Sequence, residues 1–368
     1  MSSDASSQYL QPGTVVDGYE IQYELGRGAM AIVYLARQID LDRPVAFKVL
    51  SASLARDKDY VSRFFNEARA AASLSHPAII QAYKAGITTE GLYYFCMEYV
   101  EGETLLDMIT ENERVPILQS LALVTEVAEA LDYGWQRYKF THGDIKPENI
   151  MVNLQGQAKL ADFGLAKVEG HDYAGNEVML TPLYAAPELI RGNGRKGDCL
   201  SDIYAFGATL YHAIAGTPPF PGTDAQEVLD RHVHENPEPL NIRYPLTPQI
   251  LSDLVDRMLV KDPTKRIQSW SEVLAGLRTV TAAISTPQKK KLVLNKPADS
   301  RNRLPKKPPL PKKQGSLLYW VIAAFFTIVL IVMAIILKTS QDASPNPQQQ
   351  TLPLESKVET APTARNST

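Results

Sequence analysis

Thr141-His142-Gly143-Asp144-Ile145-Lys146-Pro147-Glu148-Asn149, followed by the apolar pair Ile150-Met151, crowds an acid, a base and an amide into one short stretch. Pro147 disfavours regular helix there, so these groups belong to a loop. By residue type, Asp144 can accept a hydroxyl proton, Lys146 can neutralise charge on a phosphoryl group in transfer, and Asn149 can ligate a hard cation through its carbonyl oxygen. Taken singly, each is an ordinary polar group of a turn. Further on, Leu160-Ala161-Asp162-Phe163-Gly164 supplies a second carboxylate after a strand. Asp162 and Asn149 together suit Mg²⁺, which keeps waters and takes few protein ligands besides phosphates.

Working outward toward the N-terminus, Gly26-Arg27-Gly28-Ala29-Met30-Ala31 is a G-x-G-x-x-A run whose glycines let backbone N–H groups approach phosphate oxygens. A dinucleotide fingerprint would need a helix directly after it. The residues that follow, Ile32-Val33-Tyr34-Leu35, are β-branched or bulky and predict a hairpin strand, hence a glycine flap over a nucleotide. In Val45-Ala46-Phe47-Lys48 a lysine lies in an apolar strand, where it is costly unless paired. Glu67, in RFFNEARAAASL with Phe64, Ala68 and Ala71 on the apolar side of a helix, is the candidate countercharge; the alternative is a solvated lysine at a strand edge. Strand-like runs at 19–25, 31–37, 45–50 and 92–100 give way after Gly102 to helical periods such as 120–135. Strands followed by helices predict an α+β, two-lobed arrangement.

In their order and number, these runs resemble the protein-kinase signature set over residues 18–280, and more narrowly the eukaryotic-like bacterial transmembrane Ser/Thr protein kinases. The resemblance implies a two-lobed kinase fold, with a small strand-rich lobe and a larger helical one. It implies ATP and Mg²⁺ as cofactors, with Mn²⁺ an alternative metal. Gly26, Arg27, Gly28, Ala29, Met30 and Ala31 would cover the phosphates, and Val33 and Ala46 would line the adenine pocket. Met97 would be the gatekeeper, with Glu98 to Val100 as the hinge. Lys48 and Glu67 would be the lysine–glutamate pair, Asp144 the catalytic base with Lys146 beside it, and Asn149 and Asp162 the metal ligands. Glu188 of Ala186-Pro187-Glu188 would pair with Arg266 inside the larger lobe, and Asp202 would brace the catalytic loop. Lys146 and Thr181 are similar to Ser/Thr rather than Tyr kinases, which implies protein Ser/Thr hydroxyls as acceptors and autophosphorylation. Glu101, Glu103 and Glu148 lie where ribose hydroxyls or a basic substrate residue are held, or are plain solvated surface.

Two positions depart from the pattern. Gly143 replaces the arginine that in many kinases grips a phosphorylated activation-loop residue, and residues 165–180 contain no Ser or Thr. Activity is therefore expected not to require Ser/Thr phosphorylation of that segment. Ala31 stands in place of a third glycine and adds a methyl to the flap.

The composition, 45% apolar and 21% charged with only Cys96 and Cys199, excludes a disordered or disulfide-stapled chain and any CxxC site. The net charge of -3 conceals unlike parts: +9 over residues 289–313 and -12 over residues 1–288, which is not the pattern of a nucleic-acid binder. Residues 317–337, LLYWVIAAFFTIVLIVMAIIL, contain no charge, Pro or Gly and are long enough to cross a bilayer, with Tyr319 and Trp320 near the start. The basic strip KKPPLPKK precedes this stretch and only Lys338 directly follows it, which places the N-terminal side in the cytoplasm. The N-terminus is polar and reads as no signal peptide. The expected organisation is a flexible start at 1–17, the catalytic domain at 18–280 in the cytoplasm and a basic, Pro-rich juxtamembrane linker at 281–315. A single membrane helix at 316–338 and a short disordered extracytoplasmic tail at 339–368 complete it. The linker reads either as a patch for anionic lipid or as a spacer. A homodimer is left open, although the apolar stretch has no GxxxG. The competing readings are a nucleotide-binding pseudokinase scaffold and a sensor that signals through dimerisation of the span.

Overall fold

The structure, a computed structural model, describes residues 10–28, 30–163, 181–192 and 199–285. The linker from residue 286, the apolar stretch 317–337, the tail, Ala29 and segment 164–180 lie outside the described residues.

Alternating apolar positions at the N-terminal end pair into a six-stranded antiparallel sheet. Its order is β1 (Val15–Val16), β2 (Tyr19–Arg27), β3 (Ala31–Gln38), β4 (Arg43–Leu50), β6 (Tyr93–Glu98), β5 (Ala82–Ile87). The strand predicted after the glycines is β3, and the flap is the β2–β3 turn. Both faces of the central strands are covered, which is why β4 is apolar almost throughout. One face packs Tyr19, Phe47, Tyr94 and Cys96 together, with Phe47 and Tyr94 stacked at 4.9 Å. The other carries Ala31, Leu50 and Phe95 against α1 (Lys58–Ser73), whose first turn is capped by the Asp57 carboxylate accepting from the Asp59 N–H. Phe64, Ala68 and Ala71 form the buried side of α1, and Glu67 is buried on that helix with them.

The larger lobe begins with a second sheet, β7 (Gly102–Thr104), β8 (Ile150–Asn153) and β9 (Ala158–Leu160), and continues in helices. Thr104 and Asp107 form a reciprocal capping box at the start of α2 (Leu105–Asn112). α3 (Ile117–Tyr138) follows, then α4 (Pro187–Ile190), and α5 (Leu200–Ala215) runs through the centre of the lobe with most of its residues buried. Phe206 of α5 meets Trp270 edge-to-face at 5.4 Å. Beyond α5 come α6 (Ala225–His234), α7 (Leu240–Arg243), α8 (Gln249–Met258) and α9 (Trp270–Ser285). The lobes are stitched where the Leu160 N–H donates to the Ala78 carbonyl and the Ile80 N–H to the Leu160 carbonyl.

α9 continues to Ser285, five residues into the stretch expected to begin the linker at 281. The reason is packing: Val280 is fully covered and Ile284 still rests on the core, so the helix has a face to bury to its end. Among the described residues, no helix is long and apolar enough to cross a membrane.

Candidate active site

Lys48 lies on β4 between Val33 of β3 and Phe95 of β6, so its ammonium reaches out of an apolar sheet. Its Nζ is 2.6 Å from Glu67 Oε1 and 3.3 Å from Asp162 Oδ1. Burial alone would lower the Lys48 pKa, but the two carboxylates overcome that and raise it, keeping the side chain charged. The charge of Lys48 holds Asp162 below the usual carboxylate range against burial. Burial pushes the Glu67 carboxyl upward, and the neighbouring charge of Asp162 adds to that, against the pull of Lys48. The pairing expected for a lysine in an apolar strand is therefore present, and it ties α1 to β4 and to the start of the segment after β9.

The catalytic stretch is held from below by α5. Asp202 Oδ2 accepts the His142 N–H at 2.6 Å and Oδ1 accepts the Gly143 N–H at 2.8 Å. Presenting both N–H groups to one carboxylate puts Gly143 at φ 81°, a left-handed conformation that suits glycine. Any β-carbon there costs about 1–2 kcal/mol. Gly143→Ala is accordingly expected to lower the melting temperature by a few degrees, and an unchanged or raised value would contradict this account of the turn. His142 is fully buried, with its Nε2 3.1 Å from the Ala161 carbonyl, and it packs on Phe163. Phe163 in turn follows Asp162, which itself sits at φ 61°.

Asp144 gathers three donors. Lys146 Nζ is 2.7 Å from Oδ2, Asn149 Nδ2 donates to Oδ2 at 3.1 Å and to the Asp144 carbonyl at 2.8 Å, and the Thr181 hydroxyl donates to Oδ1 at 2.6 Å. Lys146 also donates to Thr181 Oγ1 at 3.3 Å. In the sequence, Thr181 marks only the acceptor type. Its direct bond to Asp144 spans 37 positions and leaves no trace in local spacing.

The flap is closed by a Gly28 N–H bond to the Ala31 carbonyl at 2.9 Å, and Arg27 forks onto Glu24. A β-carbon added at Gly26 would meet no protein atom within 4 Å, so internal packing does not demand glycine there. Ala31, by contrast, is 4% exposed and turns its methyl into the core, which explains why the third glycine is dispensable. Met30 rests partly on that core. Ala46 and Met97 are direct cross-strand partners, and Val100 is buried just beyond β6. Glu98 is more than backbone hinge: its carboxylate pairs with Lys159 of β9 at 2.8 Å and accepts the Gln81 N–H at 3.2 Å. Glu101 and Glu148 are exposed and Glu103 half-buried.

For a metal, the described residues contain no cluster of three or more His, Cys, Asp or Glu groups. They do offer the donor set that a hydrated Mg²⁺ needs. With its amide nitrogen turned to Asp144, Asn149 keeps its oxygen for a cation, and one oxygen of Asp162 remains beside the one that Lys48 takes. The fit is to an ion that completes its shell with water and phosphate oxygens.

A lysine–glutamate pair, an acid braced beside a lysine and a threonine, an amide and a second acid, and a glycine turn in the strand-rich lobe are together the parts of a two-lobed protein kinase fold. A model of the protein kinase domain matches residues 19–276, and the chain belongs to that family, among the eukaryotic-like bacterial Ser/Thr kinases. It is 34% identical to the serine/threonine-protein kinase PknB of Mycolicibacterium smegmatis, over 88% of this chain and 55% of that protein. It is 38% identical to PknB of Mycobacterium leprae, over 72% and 43% respectively. With PrkC of Bacillus subtilis the identity is 34%, over 71% of this chain and 40% of the other. The chain thus spans about half the length of the curated relatives it matches. Among solved structures, the Mycobacterium tuberculosis PknI kinase domain superposes with TM-score 0.59 at 30% identity, covering 74% of this chain and all of that one.

Proposed function

We propose that this protein is a Ser/Thr protein kinase that transfers the γ-phosphoryl group of MgATP to protein hydroxyls, itself included, and that it is anchored in a membrane by residues 317–337. The observation that carries the catalytic part is Asp144 held by Lys146, Asn149 and Thr181, beside an intact Lys48–Glu67 pair. Asp144 orients the acceptor hydroxyl and takes its proton. Lys146 lies against Asp144 and stabilises charge on the phosphoryl group as it passes, while Lys48, fixed by Glu67, holds the α- and β-phosphates. Asn149 and Asp162 would hold Mg²⁺, which supplies positive charge to the β- and γ-phosphates. Thr181, bonded to both Asp144 and Lys146, sets the floor for a Ser or Thr side chain.

Chelation of divalent metal is expected to abolish labelled γ-phosphate transfer to a basic protein and Mg²⁺ to restore it; transfer that persists in chelator would contradict the assigned roles of Asn149 and Asp162. The anchoring reading rests on the 21 uncharged residues and the basic strip that precedes them. Its test is fractionation of the full chain against one lacking residues 317–337: recovery of both in the soluble fraction would refute it.

The state of Thr181 bears on regulation. Its hydroxyl is engaged as donor and acceptor, and a phosphate in its place would face the Asp144 carboxylate. With Gly143 offering no guanidinium and residues 165–180 no Ser or Thr, phosphatase treatment is expected to leave activity within about two-fold. Loss of activity on dephosphorylation of Thr181 would overturn this.

A further inference from the structure

Away from the active site, a cavity of about 510 Å³ opens between α2, α5 and the end of α7, a size in the range of ligand sites. Among its walls are Arg114, Arg243, Thr217 and His212. Both guanidiniums have loose countercharges: Arg114 is 3.8 Å from Glu113 and Arg243 is 3.9 Å from Glu238, with both arginines partly exposed. Glu113 is the one acid in the cavity wall; its side chain is 86% exposed, so solvent weakens its hold on Arg114. Arg114 is braced, its Cζ 4.5 Å above the Tyr244 ring, and Arg243 donates to the Thr217 hydroxyl at 3.2 Å. Thr217 therefore keeps its own hydrogen to donate. Burial holds His212 down to about 4, so it is neutral and the cavity wall carries two cations, Arg114 and Arg243, against the single acid Glu113.

Two guanidinium forks and a hydroxyl are donors of the kind that match a tetrahedral dianion. One further feature favours a peptide over free phosphate. Outside the cavity wall, Ile242, next to Arg243 on α7, and Leu246 in the following turn are 61% and 74% exposed, so an occupant that extends beyond the cavity with apolar side chains finds surface to cover. His212 also joins the cavity to the segment under the acceptor site, because its Nδ1 is 2.8 Å from the Tyr184 hydroxyl, three residues beyond Thr181. We propose that this cavity is a docking site for a phosphorylated Ser or Thr side chain on a protein partner, recognised by Arg114, Arg243 and Thr217 and flanked by apolar contacts on Ile242 and Leu246. It goes beyond phosphotransfer and concerns proteins that already carry a phosphate.

The test is fluorescence anisotropy on the full chain without nucleotide, so that no transfer occurs and the kinase reading is not at stake. The probes are a labelled phosphoserine peptide with a neighbouring leucine, its unphosphorylated twin, and inorganic phosphate as competitor. The phosphopeptide is expected to bind at least ten-fold tighter than its twin and to lose at least ten-fold with Arg114→Gln plus Arg243→Gln. Should that variant not fold, Thr217→Val is expected to lose three-fold or more. Equal binding of the twin, or undiminished binding by the folded variants, overturns the site. Competition by inorganic phosphate as effective as by the unlabelled phosphopeptide overturns the assignment to a protein partner.

Discussion

Asp144→Asn is expected to lower phosphoryl transfer by about a thousand-fold while leaving nucleotide binding and the melting temperature nearly unchanged. The substitution keeps the shape of the side chain but removes both the charge and one acceptor. In the native site both carboxylate oxygens are in use, Oδ1 by Thr181 and Oδ2 by Lys146 and Asn149. Asparagine has one acceptor oxygen; with it kept toward Lys146 and Asn149, its N–H₂ group faces Thr181, whose hydroxyl can turn to accept, which is why stability is little affected. Asparagine also cannot take a proton from an acceptor hydroxyl. Steady-state transfer to a peptide acceptor, with nucleotide affinity measured in parallel, checks this. A variant that keeps more than a tenth of wild-type transfer would remove Asp144 from the role of base.

The second large effect concerns stability. Arg266→Ala is expected to cost about 3–5 kcal/mol, against a total of roughly 5–15 kcal/mol for a typical domain. Arg266 is 2% exposed and forks onto Glu188 at 2.7 and 2.9 Å. It also donates to the carbonyls of Leu200 and Val260, and Ser201 donates to the same Glu188 carboxylate at 2.8 Å. Burial would raise the Glu188 pKa, but the guanidinium and the hydroxyl hold it below the usual range. A depressed carboxylate contributes stability that is complete above its unfolded value and is lost as pH falls through its folded one. The loss on Arg266→Ala should therefore be full at pH 7 and shrink in acid, where Glu188 in the variant takes up a proton. The exposed Arg257–Glu272 pair is the internal control, and Arg257→Ala is expected to cost under about 1 kcal/mol. Comparable destabilisation by the two variants in urea titrations at pH 7 would show that burial is not what gives the Arg266 pair its weight.

What could be read from the sequence was whatever a short-range physical demand dictates. A lysine in an apolar strand demands a countercharge, and Glu67 on the one nearby amphipathic helix supplied it. The bulky residues after the glycines demanded a strand, and β3 is there. Resemblance to the kinase signature set, rather than any short-range demand, led to Asp202 bracing the catalytic stretch and Glu188 pairing with Arg266, and both contacts are present. What stayed illegible are contacts made by tertiary packing alone. The bond of Thr181 to Asp144, the pairing of Glu98 with Lys159, and the buried pairs Tyr184–His212 and Tyr204–His232 join residues of unrelated elements. No periodicity or local propensity signals them. The end of α9 was missed for a related reason, since only the core beneath Ile284 decides that residues 281–285 remain helical. The buried methyl of Ala31 belongs to the same class: a substitution read as a change to the flap proves to be a change in packing.

The proposed chemistry moves a phosphoryl group onto Ser/Thr hydroxyls rather than merely holding nucleotide. The most direct measurement is incubation of the full chain with γ-labelled ATP and Mg²⁺, followed by partial acid hydrolysis and separation of phosphoserine, phosphothreonine and phosphotyrosine. Label on serine and threonine that the Asp144→Asn chain lacks is the predicted result. Bound nucleotide with no labelled amino acid in either chain would contradict it and leave a nucleotide-binding scaffold.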